Sequence, residues 1–141
     1  MIYYAVIDTN VLVSALLKEF SPPWKVVQFV RIGKIIPLYN NEMLIEYGEV
    51  LKRKEKYDFP EEEIQEVINL VVGTGMQFNG SQIDELFTHD DDIKFYSVVI
   101  TAINYISPYS KLITGNQKHY PIKEFIVSPD EMVDIVEKDV H

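Results

Sequence analysis

The feature that most constrains this chain is its first apolar run, Ile2-Tyr3-Tyr4-Ala5-Val6-Ile7, and the way it stops at Asp8. A short unbroken apolar segment reads as a strand covered on both faces, as in parallel sheets with helices packed on either side. Thr9 and Asn10 follow, and then a second apolar stretch from Val11 to Leu17. An acid at the C-terminal tip of an inner strand, just ahead of a helix, stands where open α/β sheets hold their ligands.

The rest of the chain repeats the alternation of short apolar runs and longer helical stretches. That pattern predicts an α/β three-layer sandwich around a parallel sheet of about five strands. Strands are expected from Ile2 to Ile7, Ile35 to Tyr39, Met76 to Phe78, Lys111 to Ile113 and Phe125 to Val127. Pro37 cannot donate to a ladder, so the second strand is expected at an edge or very short. Helices are expected from Asn10 to Lys18, from the Ser21-Pro22-Pro23 start to Arg31, from Glu42 to Lys54 and from Glu61 to Val72. Two more run from Ile93 to Tyr105 and from Ser128 to Lys138; Ser128 and Glu131 there have capping-box spacing.

Composition narrows the class. A chain of 141 residues with 47% apolar content can build one real core, and a single domain over residues 1–141 is expected. No apolar run approaches the roughly 20 residues that span a bilayer. The N-terminus lacks the charged leader of a signal peptide, so a cytoplasmic protein with no membrane partner is expected. The absence of cysteine excludes disulfides, thiolate catalysis and sulfur metal ligands. The net charge of -9 argues against nucleic-acid binding through a broad basic surface. Positive charge is concentrated at Lys52, Arg53, Lys54 and Lys56, where a nucleic-acid backbone would be guided or a helix end simply solvated.

Polar residues fall at four conspicuous places: Asp8 after the first strand, Asp90-Asp91-Asp92 ahead of a helix, Asn116 after the fourth strand, and Glu46 within the third helix. Met43, Leu44, Tyr47, Val50 and Leu51 form that helix's apolar stripe, and Glu46 lies on its margin, pointing to core or cleft. Each has an ordinary reading. Aspartates before helices cap them, an Asn after Gly is a turn residue, and a marginal Glu snorkels. The coincidence carries the weight, because the C-terminal ends of parallel strands converge on one crevice. Carboxylates gathered there repel one another and stay ionised only beside positive charge. Mg²⁺ or Mn²⁺ suits such oxygen ligands, and metal ions so held promote phosphodiester hydrolysis. Metals would also let an acidic protein meet a phosphate. Other motifs fail: Gly73-Thr74-Gly75 lacks its third glycine, there is no Walker A loop or GxSxG elbow, and His89, His119 and His141 lack metal-motif spacing. His119 is near enough to the Thr114-Gly115-Asn116 loop for a substrate contact.

The segments IDTNVLVSALL, EYGEVLKR around Glu46, DDDIKF and LITGNQKHYP together resemble the PIN domain, a small metal-dependent nuclease fold, across nearly the whole chain. The nearest likeness is to the subgroup described as toxin components of toxin–antitoxin pairs. The resemblance implies Asp8, Glu46 and Asp92 as catalytic and metal-binding acids. Asp92 fits the spacing of an acid, two residues and Phe95; Asp91 is the alternative. Many PIN domains carry a fourth acid where this chain has Asn116, which can ligate through its carbonyl or a water but adds no charge. Asn10, Ser14 and Thr114 are the implied substrate contacts.

The implied activity is a Mg²⁺- or Mn²⁺-dependent endoribonuclease acting on single-stranded or structured RNA. Implied partners are an antitoxin protein and a second copy of the chain in a homodimer. The alternative is a PIN-like RNA- or protein-binding module with weak or lost catalysis. A phosphatase with Asp8 as covalent nucleophile is disfavoured, because that chemistry needs a second Asp where Asn10 stands.

Overall fold

The computed structural model describes residues 1–78 and 92–139. In chain order the elements are β1 (Tyr3–Ile7), α1 (Thr9–Leu17), α2 (Pro22–Arg31), β2 (Ile35–Tyr39), α3 (Asn41–Leu51), α4 (Glu61–Thr74), β3 (Met76–Gln77), α5 (Ile93–Tyr105), β4 (Lys111–Ile113), β5 (Ile126–Val127) and α6 (Pro129–Lys138). The five strands form one sheet in the order β3-β2-β1-β4-β5. Every pairing is parallel.

The strand order decides where a ligand can sit. From β1 the chain winds outward to β2 and β3, then returns through α5 to β4 on the other side of β1. Right-handed crossovers place α5 on the sheet face opposite the helices of the first two connections. The direction of winding reverses between β1 and β4, and their C-terminal ends open a crevice at that switch point. Asp8 follows β1 and Thr114 follows β4, so the two flank it.

Local chemistry fixes the element ends. Ser21 accepts a hydrogen bond from the Trp24 amide at 3.4 Å and starts α2. Asn40 accepts from the Met43 amide at 2.8 Å and starts α3. The capping box of Ser128 and Glu131 starts α6. Gly33, at φ +80°, closes α2 in a conformation that L side chains rarely adopt. Val6, Leu12, Leu38, Val98 and Leu112 are wholly buried and mark the core between sheet and helices.

Three expectations need correcting. β2 is neither an edge nor a very short strand; it lies between β1 and β3. Tyr3 N donates to Lys34 O, and Phe78 N donates to Tyr39 O. Alternate residues of β2 therefore turn their backbone toward β3, Pro37 among them, and β3 pairs only from Leu38 onward. The missing N–H of Pro37 falls where no ladder bond is required. α3 ends at Leu51 rather than Lys54, because the exposed Lys52, Arg53 and Lys54 have nothing to bury. α4 continues past Val72 to Thr74, whose hydroxyl donates to Leu70 O at 2.7 Å. Asp90, Asp91, His89 and His141 lie outside the described residues.

Candidate active site

Two aspartates occupy N-cap positions, Asp8 for α1 and Asp92 for α5, yet neither side chain makes a capping hydrogen bond. Ser21, Asn40 and Ser128 do cap their helices. Neither aspartate therefore caps its helix in the way those residues do, although the Asp8 carboxylate still takes the backbone N–H of Thr9 at the start of α1.

Asp8 is 5% exposed. Its Oδ2 accepts two hydroxyl hydrogen bonds, from Thr114 Oγ1 at 2.8 Å and Tyr120 OH at 3.0 Å. Burial pushes the Asp8 carboxyl above its ordinary pKa. Thr114 and Tyr120 pull it back, and the charge of Glu46 adds to the rise. The buried Tyr47, next to Glu46 on α3, donates to Ile7 O and pins the end of β1. Its phenol is pushed well up by burial, then by Asp8 and Glu46.

Glu46 faces the crevice, as its marginal position on α3 requires. Its Oε2 accepts from Thr9 Oγ1, and its Oε1 pairs with Lys94 Nζ at 2.9 Å. Asp92 Oδ2 stands 3.3 Å from His119 Nδ1. Burial raises the Tyr120 phenol first, and then Asp8, Asp92 and Glu46 each add to the rise. Asp8 accepts a hydrogen bond from that phenol, and Asp92 and Glu46 act on it through their charge.

Asn10 lies on the first turn of α1. Its Oδ1 accepts from Gly115 N at 2.9 Å and its Nδ2 stands 3.5 Å from Thr114 Oγ1. The Thr114 hydroxyl also accepts from Asn116 N at 3.0 Å. A Cβ on Gly115 would come within 3.1 Å of Asn10 Oδ1, so glycine allows this close approach. Asn116 joins the loop through its backbone, with an exposed side chain that makes no capping bond. Ser14 is exposed one helical turn beyond Asn10, on the same face of α1. Arg53 lines an open cleft of about 330 Å³ with Glu42, Ile45, Glu46, Glu49, Val50 and Lys94.

The structure therefore brings Asp8, Glu46, Asp92, Asn10 and Thr114 to the switch-point crevice, together with the backbone of Asn116. Four participants escaped the sequence reading: Thr9, Tyr47, Lys94 and Tyr120. All four lie inside or beside the quoted motifs, but a buried Tyr beside a motif ordinarily reads as core, and its hydroxyl partner is not encoded by spacing.

Oxygen-only donors with converging negative charge suit a hard divalent cation. The buried Asp8 carboxylate, opposed by burial and by Glu46, is a group that such a cation would relieve. Among the described residues, no three Asp, Glu or His side chains approach closely enough to share one ion. Glu46 is engaged with Lys94 instead.

An open parallel sheet with carboxylates gathered at its switch point defines the class of small α/β domains with an acidic crevice. A family model described as PIN domain matches residues 4–118, and the chain belongs to that family. PIN domains are typically nucleases and generally use divalent metals. The crystal structure of PAE2754 from Pyrobaculum aerophilum is similar at a TM-score of 0.59, with 11% identity over 98% of this chain and 91% of that one. At that identity the likeness is one of fold. No curated protein matches the chain. Among the described residues, no helix is long and apolar enough to cross a membrane.

Proposed function

We propose that this PIN domain is a metal-dependent endoribonuclease that uses Mg²⁺ or Mn²⁺. The observation that carries the reading is the pair of cap-position aspartates that do not cap, Asp8 and Asp92, together with Glu46 across the crevice. Asp8, Glu46 and Asp92 would hold the cation by closing on it, since as they stand they do not share one ion's reach and Glu46 is paired with Lys94. Bound there, the cation would supply Lewis-acid activation of a water nucleophile and offset charge on the leaving oxygen.

The chain's own groups prepare the site. Thr114 and Tyr120 hold Oδ2 of Asp8 and fix the orientation of its carboxylate. Thr9 orients Glu46. Asn10 locks the loop after β4 against α1, setting the crevice wall along which a phosphodiester would lie. The exposed Lys52, Arg53, Lys54 and Lys56 lie beyond the end of α3, where they would meet the RNA backbone. Asn116 contributes through its carbonyl or a water, and Ser14 through its exposed hydroxyl. RNA, single-stranded or structured, is the proposed substrate. A toxin role, with an antitoxin protein as partner and a homodimer as the assembled form, belongs to the same reading.

The test is cleavage of end-labelled single-stranded RNA with Mg²⁺ or Mn²⁺, run beside EDTA and Asp8→Asn controls. Cleavage lost in both controls supports the reading. Absence of cleavage across varied RNAs, with no metal binding, points to the binding module with lost catalysis.

A further inference from the structure

Lys94 is the one cation paired with a carboxylate of the proposed metal set among the described ion pairs of a lysine or arginine. It lies on the first turn of α5, two residues after Asp92. Its side chain is 13% exposed and that of Glu46 is 25% exposed, so solvent screens the pair only in part. Both partners are held in place. The Asn40 side chain starts α3 and also donates to Lys94 O at 3.4 Å, tying the helix of Glu46 to the helix of Lys94. Ser97 Oγ donates to the same carbonyl at 3.1 Å. Thr9 holds the second oxygen of Glu46.

We propose that the Lys94 ammonium is a built-in counter-ion of Glu46 that a divalent cation must displace, so that metal binding and the Lys94–Glu46 ion pair exclude each other. The proposal rests on the metal-nuclease reading above. An ammonium at 2.9 Å from Oε1 occupies the space and satisfies the charge that a cation on that oxygen would need. A second positive charge at the same carboxylate oxygen is repelled at short range. The displaced ammonium has somewhere to go. Glu42 and Glu49 line the same open cleft as Glu46 and Lys94. The Phe95 ring centroid is already 5.4 Å from Lys94 Nζ. One turn of α5 thus presents both a ligand for the ion, Asp92, and the group that contests it. The pair keeps Glu46 ordered and neutralised until the ion arrives, and it sets a concentration threshold for loading.

The test is Mn²⁺ binding to the full chain, read from the electron paramagnetic resonance signal of free Mn²⁺, for wild type, Lys94→Met, Lys94→Arg and Asp8→Asn. Removing the competing charge in Lys94→Met is expected to tighten Mn²⁺ about five- to tenfold. Lys94→Arg, which keeps the charge, stays near wild type. In a companion measurement on wild type, the Lys94 NH₃⁺ resonance is followed by ¹⁵N correlation during a Mg²⁺ titration; it shifts or broadens as the pair breaks. Unchanged or weaker Mn²⁺ affinity in Lys94→Met, or a Lys94 resonance that ignores saturating Mg²⁺, overturns the proposal. If Asp8→Asn binds Mn²⁺ as wild type does, the metal site itself lies elsewhere and the underlying reading falls with the proposal. Loss of binding in Asp8→Asn with no gain in Lys94→Met refutes the displacement alone.

Discussion

Tyr120→Phe removes one oxygen atom and leaves the buried ring in place, so it isolates the phenol's bond to Asp8. In the folded protein that hydroxyl is one of two donors to Oδ2 of a carboxylate that is 5% exposed. A hydrogen bond to an ionised group contributes about 1.5–3 kcal/mol, against about 1 kcal/mol for a neutral pair. For a chain of 141 residues, each kcal/mol moves the melting midpoint by about 3–4 °C. Tyr120→Phe should therefore lower Tm by about 5–10 °C at pH 8 in chelator. The pH dependence carries the sharper content. Burial raises the Asp8 carboxyl in the folded state, and the Tyr120 bond opposes that rise. Without the phenol the folded carboxyl titrates higher still. Where Asp8 is protonated, the variant loses only a neutral bond. The extra loss grows as pH rises through the folded titration of Asp8. Calorimetric or circular-dichroism melts at pH 4 and pH 8 measure both numbers. A loss under about 0.5 kcal/mol at pH 8, or an equal loss at both pH values, would refute the clamp.

Asp8→Asn should raise Tm in metal-free buffer at pH 8. The folded carboxyl titrates above its ordinary value of 3.8, so the folded state holds its proton more tightly than the unfolded chain. Ionised Asp8 then costs stability as pH rises through its folded titration. The gain from Asn should shrink toward pH 4, and melts in EDTA across that range would show it. Gly75→Ala should lose about 2–3 kcal/mol in urea unfolding, because its Cβ would meet Pro37 O and Val71 O at 2.4 Å each, both rigid backbone atoms.

Much of the architecture was legible because local and tertiary signals agree. The runs Ile35–Tyr39 and Lys111–Ile113 have their expected bounds as β2 and β4, and α5 runs from Ile93 to Tyr105 as its periodicity requires. Ser128 and Glu131 form the capping box that their spacing encodes. Pro37 misled because local chemistry knows nothing of where β3 begins to pair. The α3 end misled because a helical pattern can outrun the apolar residues that anchor it. At the crevice, Asp8 and Asp92 stood out as acids at element ends and Glu46 as an acid on the margin of the apolar stripe of α3. Their partners did not: the Tyr120 phenol reaches Asp8 across 112 positions of sequence, and a lone Lys94 on a helix start resembles any solvated lysine. Long-range hydroxyl and ammonium contacts depend on how strand ends meet, and periodicity holds no record of that.

The most direct test of the central claim is anomalous diffraction from crystals of this chain grown with Mn²⁺. The expected result is an anomalous peak at the β1–β4 switch point, within about 2.2 Å of carboxylate oxygens of Asp8, Glu46 and Asp92, with the Lys94 ammonium withdrawn from Glu46. A crevice without a peak at saturating Mn²⁺, or a peak held by other residues, would contradict it.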